Sequence, residues 1–194
     1  MKDPFRHAAP LGHGRHLHLG CGPHLLPRPW ENFDAEVDLR KPLPFPDRCA
    51  LFIMAEHVIE HVPFVAGMAF LKQCYRVLEP GGVLRLAFPD VTNFYEETDG
   101  SGRIDLYLDF LRGLGAPHQG LTDIYEFILT NSGHQSAWTN DLGFAALEVA
   151  GFREIYAGEY GRSPHNPLDG IDGHHLTSSL TAATLETTVI EATK

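Results

Sequence analysis

The sequence predicts an α/β fold, a mostly parallel sheet flanked by helices, and three observations carry the prediction. Residues 50–90 read as strand, helix, strand, which is one βαβ unit with its right-handed crossover. The first strand of that unit, Cys49–Ala55, is continuously apolar, as a parallel strand buried on both faces should be. Upstream, a stretch in which His16 and His18 alternate with Leu17 and Leu19 runs straight into the glycine turn Gly20-Cys21-Gly22. No internal repeat or linker divides the 194 residues, so residues 1–194 form a single domain.

In chain order, Arg15–Leu19 is the first strand, and Pro23 stops it. Between Gly22 and Glu31 lie eight residues, three of them prolines, so the helix that ordinarily follows such a turn is short or missing. Asn32-Phe33-Asp34 is a second short strand and Val37-Asp38-Leu39 a fragment of a third. Pro42, Pro44 and Pro46 punctuate a loop before the Cys49–Ala55 strand. Pro63 opens a helix whose apolar positions Phe64, Met68, Leu71, Tyr75 and Leu78 recur at helical spacing, and Glu79-Pro80-Gly81-Gly82 ends it. Val83–Phe88 is a strand closed by Pro89-Asp90. Residues 92–131 read as mostly helical, with a break at Gly113–Pro117 and with Glu96-Glu97 on a solvated face. Thr139-Asn140-Asp141 caps a helix that Gly151 terminates. Phe152–Tyr156 is a strand, 158–175 a long loop, and 184–191 a final alternating strand. The count comes to about seven strands.

Composition narrows the function. The chain has 15 basic and 25 acidic residues, a net charge of −10, without the basic surplus of a nucleic-acid partner. No apolar run approaches the roughly 18 residues of a membrane span, and the N-terminus lacks the apolar core of a signal peptide. Cys21, Cys49 and Cys74 are odd in number and widely spaced, which makes neither a disulfide framework nor a zinc knuckle and fits a reducing cytoplasm. Of the 12 histidines, His7, His13, His16, His18 and His24 crowd the start of the chain without any ligand spacing.

Ligands of open parallel sheets bind beyond the carboxyl ends of the strands. Gly20-Cys21-Gly22, Asp34, Asp38 and Glu56-His57 stand at four such ends. A glycine turn frees backbone amides, and a carboxylate on the next strand end can accept from ribose hydroxyls. The ordered series is similar to class I S-adenosylmethionine-dependent methyltransferases. Leu17-His18-Leu19-Gly20-Cys21-Gly22 resembles their first motif. Leu43-Pro44-Phe45-Pro46-Asp47, Glu56-His57-Val58-Ile59-Glu60-His61 and Arg76-Val77-Leu78-Glu79-Pro80-Gly81-Gly82 continue it in order, with Gly133-His134 and Ala150-Gly151-Phe152 later. Trp30–Asp34 most resembles a small bacterial branch often associated with polysaccharide biosynthesis. The resemblance implies a Rossmann-like fold and S-adenosylmethionine as cofactor. Gly20, Cys21 and Gly22 would line its methionine part, Asp34 would hold the ribose, Asp38 and Leu39 would lie along the adenine, and Glu56 and His57 would close the site near the sulfonium. It departs from the family in the second glycine position, where Pro23-His24 follows Gly22.

Methyl transfer from a sulfonium is an in-line displacement whose rate comes largely from positioning. A hydroxyl acceptor gains from a base working near neutral pH, which suits histidine. His134, His57 and His61 are the catalytic candidates, with Asp90 past the strand end. The expected function is methyl transfer to a small-molecule or saccharide acceptor, on O or N. Two other functions fit parts of the sequence: a non-catalytic binding module on a degenerate methyltransferase fold, and a metal-dependent hydrolase through the His57-x-x-Glu60-His61 pattern. Some family members hold a divalent metal with Glu and His here, which singles out His57, Glu60 and His61, but the site is read as metal-free. Trp30 and Trp138 are candidates for packing or stacking. The late loop with Arg162, His165, His174 and His175 is a candidate cover for the substrate.

Overall fold

The computed structural model describes residues 14–95, 102–115 and 120–194. His7, His13, the N-terminal segment, Glu96, Glu97, Ala116 and Pro117 lie outside them. Six strands form one sheet in the order β2-β1-β3-β4-β6-β5, made of β1 (Arg15–Leu19), β2 (Trp30–Phe33), β3 (Ala50–Glu56), β4 (Leu78–Pro89), β5 (Arg153–Gly158) and β6 (Thr187–Thr193). β2, β1, β3 and β4 run parallel, and β6 pairs antiparallel with both β4 and β5.

The described residues therefore hold six strands where about seven are expected. The shortfall is the fragment at Val37-Asp38-Leu39, which is a turn: Val37 N–H donates to the Asp34 carbonyl at 2.9 Å and Lys41 N–H to Asp38 at 3.0 Å. The last strand also begins later than its alternation suggests. Thr184–Glu186 belongs to helix α5 (Leu180–Glu186), nucleated by Ser179, whose hydroxyl accepts from Ala182 N–H. The local cap outweighs the period-2 pattern there. β4 is longer than Val83–Phe88 because Pro80-Gly81-Gly82 does not break it. A register shift between Ala50 and Phe52 absorbs the turn, and Gly81 N–H pairs with the Lys194 carbonyl.

One face of the sheet is a conventional core. Leu17, Leu19, Ile53, Leu84, Leu86 and Phe88 meet helix α1 (Phe64–Val77) through Phe70, Leu71 and Cys74, and helix α4 (Asn140–Ala150) through Ala146 and Leu147. α4 is capped as the sequence implies, by the Thr139 hydroxyl at one end and by Gly151 at φ +110° at the other, against the ring of Tyr75. Trp138 is buried in this core with its indole N–H on the Ser136 hydroxyl, so its role is packing.

Among the described residues, the other face has no α-helix in the cluster at its centre, only a 3-10 turn over Asn166–Leu168. Segment 20–29, where the first helix would stand, is non-helical. Asn32 pins it: its side chain accepts from Leu26 N–H and donates to the Leu26 carbonyl, both at 2.9 Å. Leu26, Trp30, Met54, Val83 and Leu168 make a small cluster there, and the late loop 159–177 closes over it. That loop is fixed by Arg85, which is fully buried. Its guanidinium bonds Asp172 and Glu191, at 2.8 Å and 2.5 Å, and donates to the Glu159 and Arg162 carbonyls. Helices α2 (Arg103–Gly113) and α3 (Leu121–Thr130) sit with α5 beyond the strand ends around Phe94, Tyr107, Leu111 and Ile128, forming a separate cluster. The helical expectation for 92–131 thus resolves into a 3-10 turn over 91–94 and two helices.

Candidate active site

Gly20 and Gly22 are glycines for different reasons. Both have positive φ, +71° and +48°, but a Cβ on Gly20 would lie 1.9 Å from a Val58 methyl, whereas nothing lies within 4 Å of one on Gly22. Gly20 is required by packing, and Gly22 presents backbone to open space. The Gly20 and Cys21 amides both donate to the Phe33 carbonyl, which ties the turn to the end of β2. The Cys21 side chain is buried, and its thiol is pushed up by burial and by the charges of Asp34 and Glu36, so it stays neutral.

Asp34 is exposed beside this turn, 3.3 Å from Gly22 N–H. Asp38 lies further along, bonded by Arg40 at 2.8 and 3.1 Å with Lys41 at 3.4 Å, and these cations hold its carboxyl below the usual range. Asp34, Asp38, Leu39, Gly22, His57 and His61 line an open trough of about 620 Å³. The glycine turn and both acids therefore face one space, with His57 and His61 at its inner end.

Glu56 does not point into that trough. Its buried carboxylate accepts from the Gly173 and His174 amides at 2.8 and 3.1 Å, so it anchors the late loop. His57 follows with φ +50°, rare for a residue with a Cβ and a frequent mark of a functional position. Its Nε2 lies 2.9 Å from the Thr187 hydroxyl, and its ring stacks on that of His174, with centroids 3.5 Å apart and planes at 8°. Burial, with His174 adding to it, holds His57 well below the ordinary imidazole value, so it remains neutral. The pattern His57-x-x-Glu60-His61 is not helical: a kink at His57 precedes a 3-10 turn over Ile59–His61, and the two histidines do not sit one α-helical turn apart.

Glu60 is 1% exposed, and neither carboxylate oxygen has a hydrogen-bond partner. Oε1 lies 3.5, 3.8 and 4.0 Å from nitrogens of His57, His61 and His134. Burial pushes its carboxyl up to about 7. An unbonded buried carboxylate is costly, and such groups cluster at functional sites. His134 is oriented by a 2.5 Å hydrogen bond from Nδ1 to the Ile128 carbonyl, which leaves Nε2 towards Glu60. Glu60, His61 and His134 bring ligand atoms within 4.8 Å of one another and can hold a divalent cation as one carboxylate and two imidazoles. His57, His174 and Glu186 meet the same distance limit, but two rings stacked in parallel aim their lone pairs side by side rather than at one ion.

The cavities adjoin, sharing lining residues. A second one, about 260 Å³, shares Gly20, Gly22, His57 and His61 with the trough and adds Glu60 and His134. A third, about 340 Å³, shares His57, His134 and His174 with the second and extends between Pro89, Phe110 and Phe127. The three sequence-predicted imidazoles thus meet where the spaces join. Asp90 stands apart: it is fully buried, bonded by Thr92, Thr188 and the Asn140 amide, and serves as a structural cap. Sequence reasoning does not single out Glu186, and it names His174 only as part of a loop that could cover the substrate. The only sequence signal for His174 is its place in a histidine-bearing late loop, and Glu186 sits inside what reads as a strand.

A family model described as a methyltransferase domain matches residues 31–86, which hold Asp34, Asp38, β3, the Glu56–His61 segment and α1. No curated protein matches the sequence. The fold is similar to that of a SAM-dependent methyltransferase from Archaeoglobus fulgidus, with a TM-score of 0.53 at 14% identity, covering 95% of this chain and 87% of that one. It is also similar to an S-adenosylmethionine-dependent methyltransferase from Mesorhizobium loti, with a TM-score of 0.50 at 15% identity, covering 95% of this chain and 92% of the other. At such identities the likeness is one of fold: a six-stranded version of the Rossmann-like methyltransferase architecture, with the matched segment contributing most of the trough.

Proposed function

We propose that this protein transfers a methyl group from S-adenosylmethionine to a small-molecule acceptor. The observation that carries the reading is the run of adjoining cavities along the strand ends, with the glycine turn and two acids lining one and a cluster of imidazoles shared between them. The residues fit the cofactor. Gly22 leaves room for a ligand against its backbone, and Asp34 is free on the trough side to accept from ribose hydroxyls. Asp38 and Leu39 flank the outer part of the trough, where the adenine would lie, with Arg40 and Lys41 holding the Asp38 carboxylate in place. Cys21 contributes its backbone, since its thiol is buried.

When bound, the cofactor supplies an electrophilic methyl group. The chain supplies position. His57, neutral and clamped between Thr187 and His174, forms the floor of the junction, and His61 and His134 form its wall beside Glu60. Glu56 closes the site indirectly, by fixing the loop that carries His174. Acceptors fall into two classes, saccharides and apolar-bodied molecules, with O or N as the methylated atom.

Calorimetric titration with S-adenosylhomocysteine, the demethylated product, tests the reading. Micromolar binding is expected. Asp34→Ala should weaken it by about 1.5–3 kcal/mol, the value of charge-assisted hydrogen bonds, or about 10- to 150-fold. Absence of binding up to millimolar concentration refutes the methyl-transfer function. Binding without turnover on any acceptor would identify a binding module on this fold.

A further inference from the structure

The third cavity and the late loop carry more than the proposed function uses. Pro89, Phe110, Leu114, Phe127 and Ile128 give the cavity its apolar walls, and His57, Ser132, His134, His174, Thr177, Ser178 and Glu186 give it polar ones. His174 Nε2 lies 2.8 Å from Glu186 Oε1, and Glu186 also accepts from the Tyr107 hydroxyl. Glu186 is buried. Burial alone would raise its pKa, but the hydrogen bond from His174, the nearby His57 and the Tyr107 hydroxyl hold it below the ordinary carboxyl value, so it stays ionised. An ionised carboxylate on Nε2–H fixes the imidazole as the tautomer with a free Nδ1, and it stabilises the ring once Nδ1 takes a proton. Among the described residues Nδ1 has no hydrogen-bond partner.

The ring is also held from its backbone. The Gly173 and His174 amides end on Glu56, and Gly173 packs so closely on His24 that a Cβ there would sit 1.9 Å from the imidazole. The charged and titratable groups facing His174 are His57 from the end of β3, Glu56 beneath its amide and Glu186 from α5, with Tyr107 of α2 behind Glu186. The competing imidazoles are less free. His57 is buried and bonded to Thr187, and His134 has one nitrogen on a carbonyl and the other towards Glu60.

We infer that His174, oriented by Glu186, is the general base of the reaction, and that its substrate is an apolar-bodied molecule carrying one hydroxyl, a phenol in chemical class. The inference rests on the methyl-transfer reading. A sugar brings a hydroxyl on nearly every carbon, and each one buried against Phe110 or Phe127 without a partner costs about 1–3 kcal/mol. An aromatic body needs no such partners. A cavity of ~150 Å³ holds one benzene ring, so about 340 Å³ takes one or two fused rings. In the step, the acceptor O–H bond breaks and its proton passes to His174 Nδ1. The oxygen's electron pair forms the new O–CH3 bond as the S–CH3 bond breaks. That bond's electron pair stays on sulfur, which neutralises the sulfonium. His174 then returns the proton to solvent.

The test uses the whole chain, S-adenosylhomocysteine and 4-nitrophenol, whose visible absorbance reports its phenolate form. The unaltered protein should bind the probe and raise its phenolate fraction above that in free solution at the same pH. His174→Asn should still bind S-adenosylhomocysteine, lose the added phenolate signal and bind the probe more weakly in step with that loss. With a turned-over phenol, its kcat should fall about 10²–10⁴-fold while KM holds. Glu186→Gln should keep probe binding and move the pH midpoint of the phenolate signal, a change that a merely structural carboxylate would not produce. A simple methyl glycoside should fail to displace the probe. Retention of the phenolate signal in His174→Asn, or displacement of the probe by the glycoside, overturns this inference while leaving methyl transfer in place. Failure of the unaltered chain to bind S-adenosylhomocysteine overturns both.

Discussion

Glu60→Gln should make this protein more stable above neutral pH. The carboxyl is enclosed, neither oxygen has a hydrogen bond, and burial raises its pKa from 4.5 to about 7 against the opposing pull of His61, His134 and His174. The folded state therefore keeps a proton that the unfolded chain has already released. Where the unfolded state binds fewer protons, stability falls as pH rises, here by about 1.4 kcal/mol per pH unit from 4.5 until the folded-state value is passed. The interval amounts to about 3 kcal/mol, or roughly 6–12 °C in Tm for a domain of this size. Glutamine has the same shape and never ionises. Urea denaturation of both chelator-treated proteins between about pH 5 and 9 measures the effect. The two should be nearly equal at the acid end, with glutamine ahead by about 3 kcal/mol at the alkaline end. Histidines are present in both proteins, so the difference reads Glu60 together with its coupling to the neighbouring imidazoles. Parallel curves across the window would refute the argument and show that the carboxylate finds water or a partner in solution.

Arg85→Met should cost about 3–5 kcal/mol, because it leaves Asp172 and Glu191 buried without their cation, and thermal or urea unfolding reads it directly. A loss below 1 kcal/mol would mean that those acids protonate without penalty. Gly20→Ala places a methyl group 1.9 Å from Val58 at φ +71° and should cost at least 1–3 kcal/mol. Gly22→Ala meets only the φ penalty of about 1–2 kcal/mol, so its main readout should be weaker binding of S-adenosylhomocysteine. Equal effects of the two on stability would show that the packing distinction is wrong.

How much of this was legible beforehand follows from range. The βαβ unit, the α4 cap at Thr139 and the glycine turn are local patterns, and the structure places them where periodicity and capping put them. Asp34 faces the trough because a parallel sheet sends its strand ends to one side, and the turn that follows it brings Asp38 to the same space. The boundary between α5 and β6 was obscured because Thr184–Glu186 alternates in sequence while Ser179, several residues earlier, commits it to a helix. Glu60 carried a motif but not its environment. That it is buried and unbonded depends on His134, which arrives from beyond α3. His174 and Glu186 were invisible as a pair because neither belongs to a spaced motif, and only the crossover from loop to α5 to β6 sets them side by side.

The missing first helix explains why that late loop matters. In its place stands a proline-broken segment held by Asn32, too thin to cover the sheet by itself. The cover comes instead from 159–177, which puts Glu56 and Arg85 under a loop rather than under an apolar helix and lets polar side chains occupy that face. Gly173 is the joint between the two segments: its amide ends on Glu56, and its Cα abuts the ring of His24. Gly173→Ala should therefore separate them. Overpacking of this kind costs about 1–3 kcal/mol, and the strain should appear locally, as faster hydrogen exchange of 173–177 and loss of the His174–Glu186 contact, while α1 and α4 keep their protection. If the loop exchanges no faster than in the unaltered chain, His24 has moved aside at no cost, and the Gly173–His24 contact does not hold the loop.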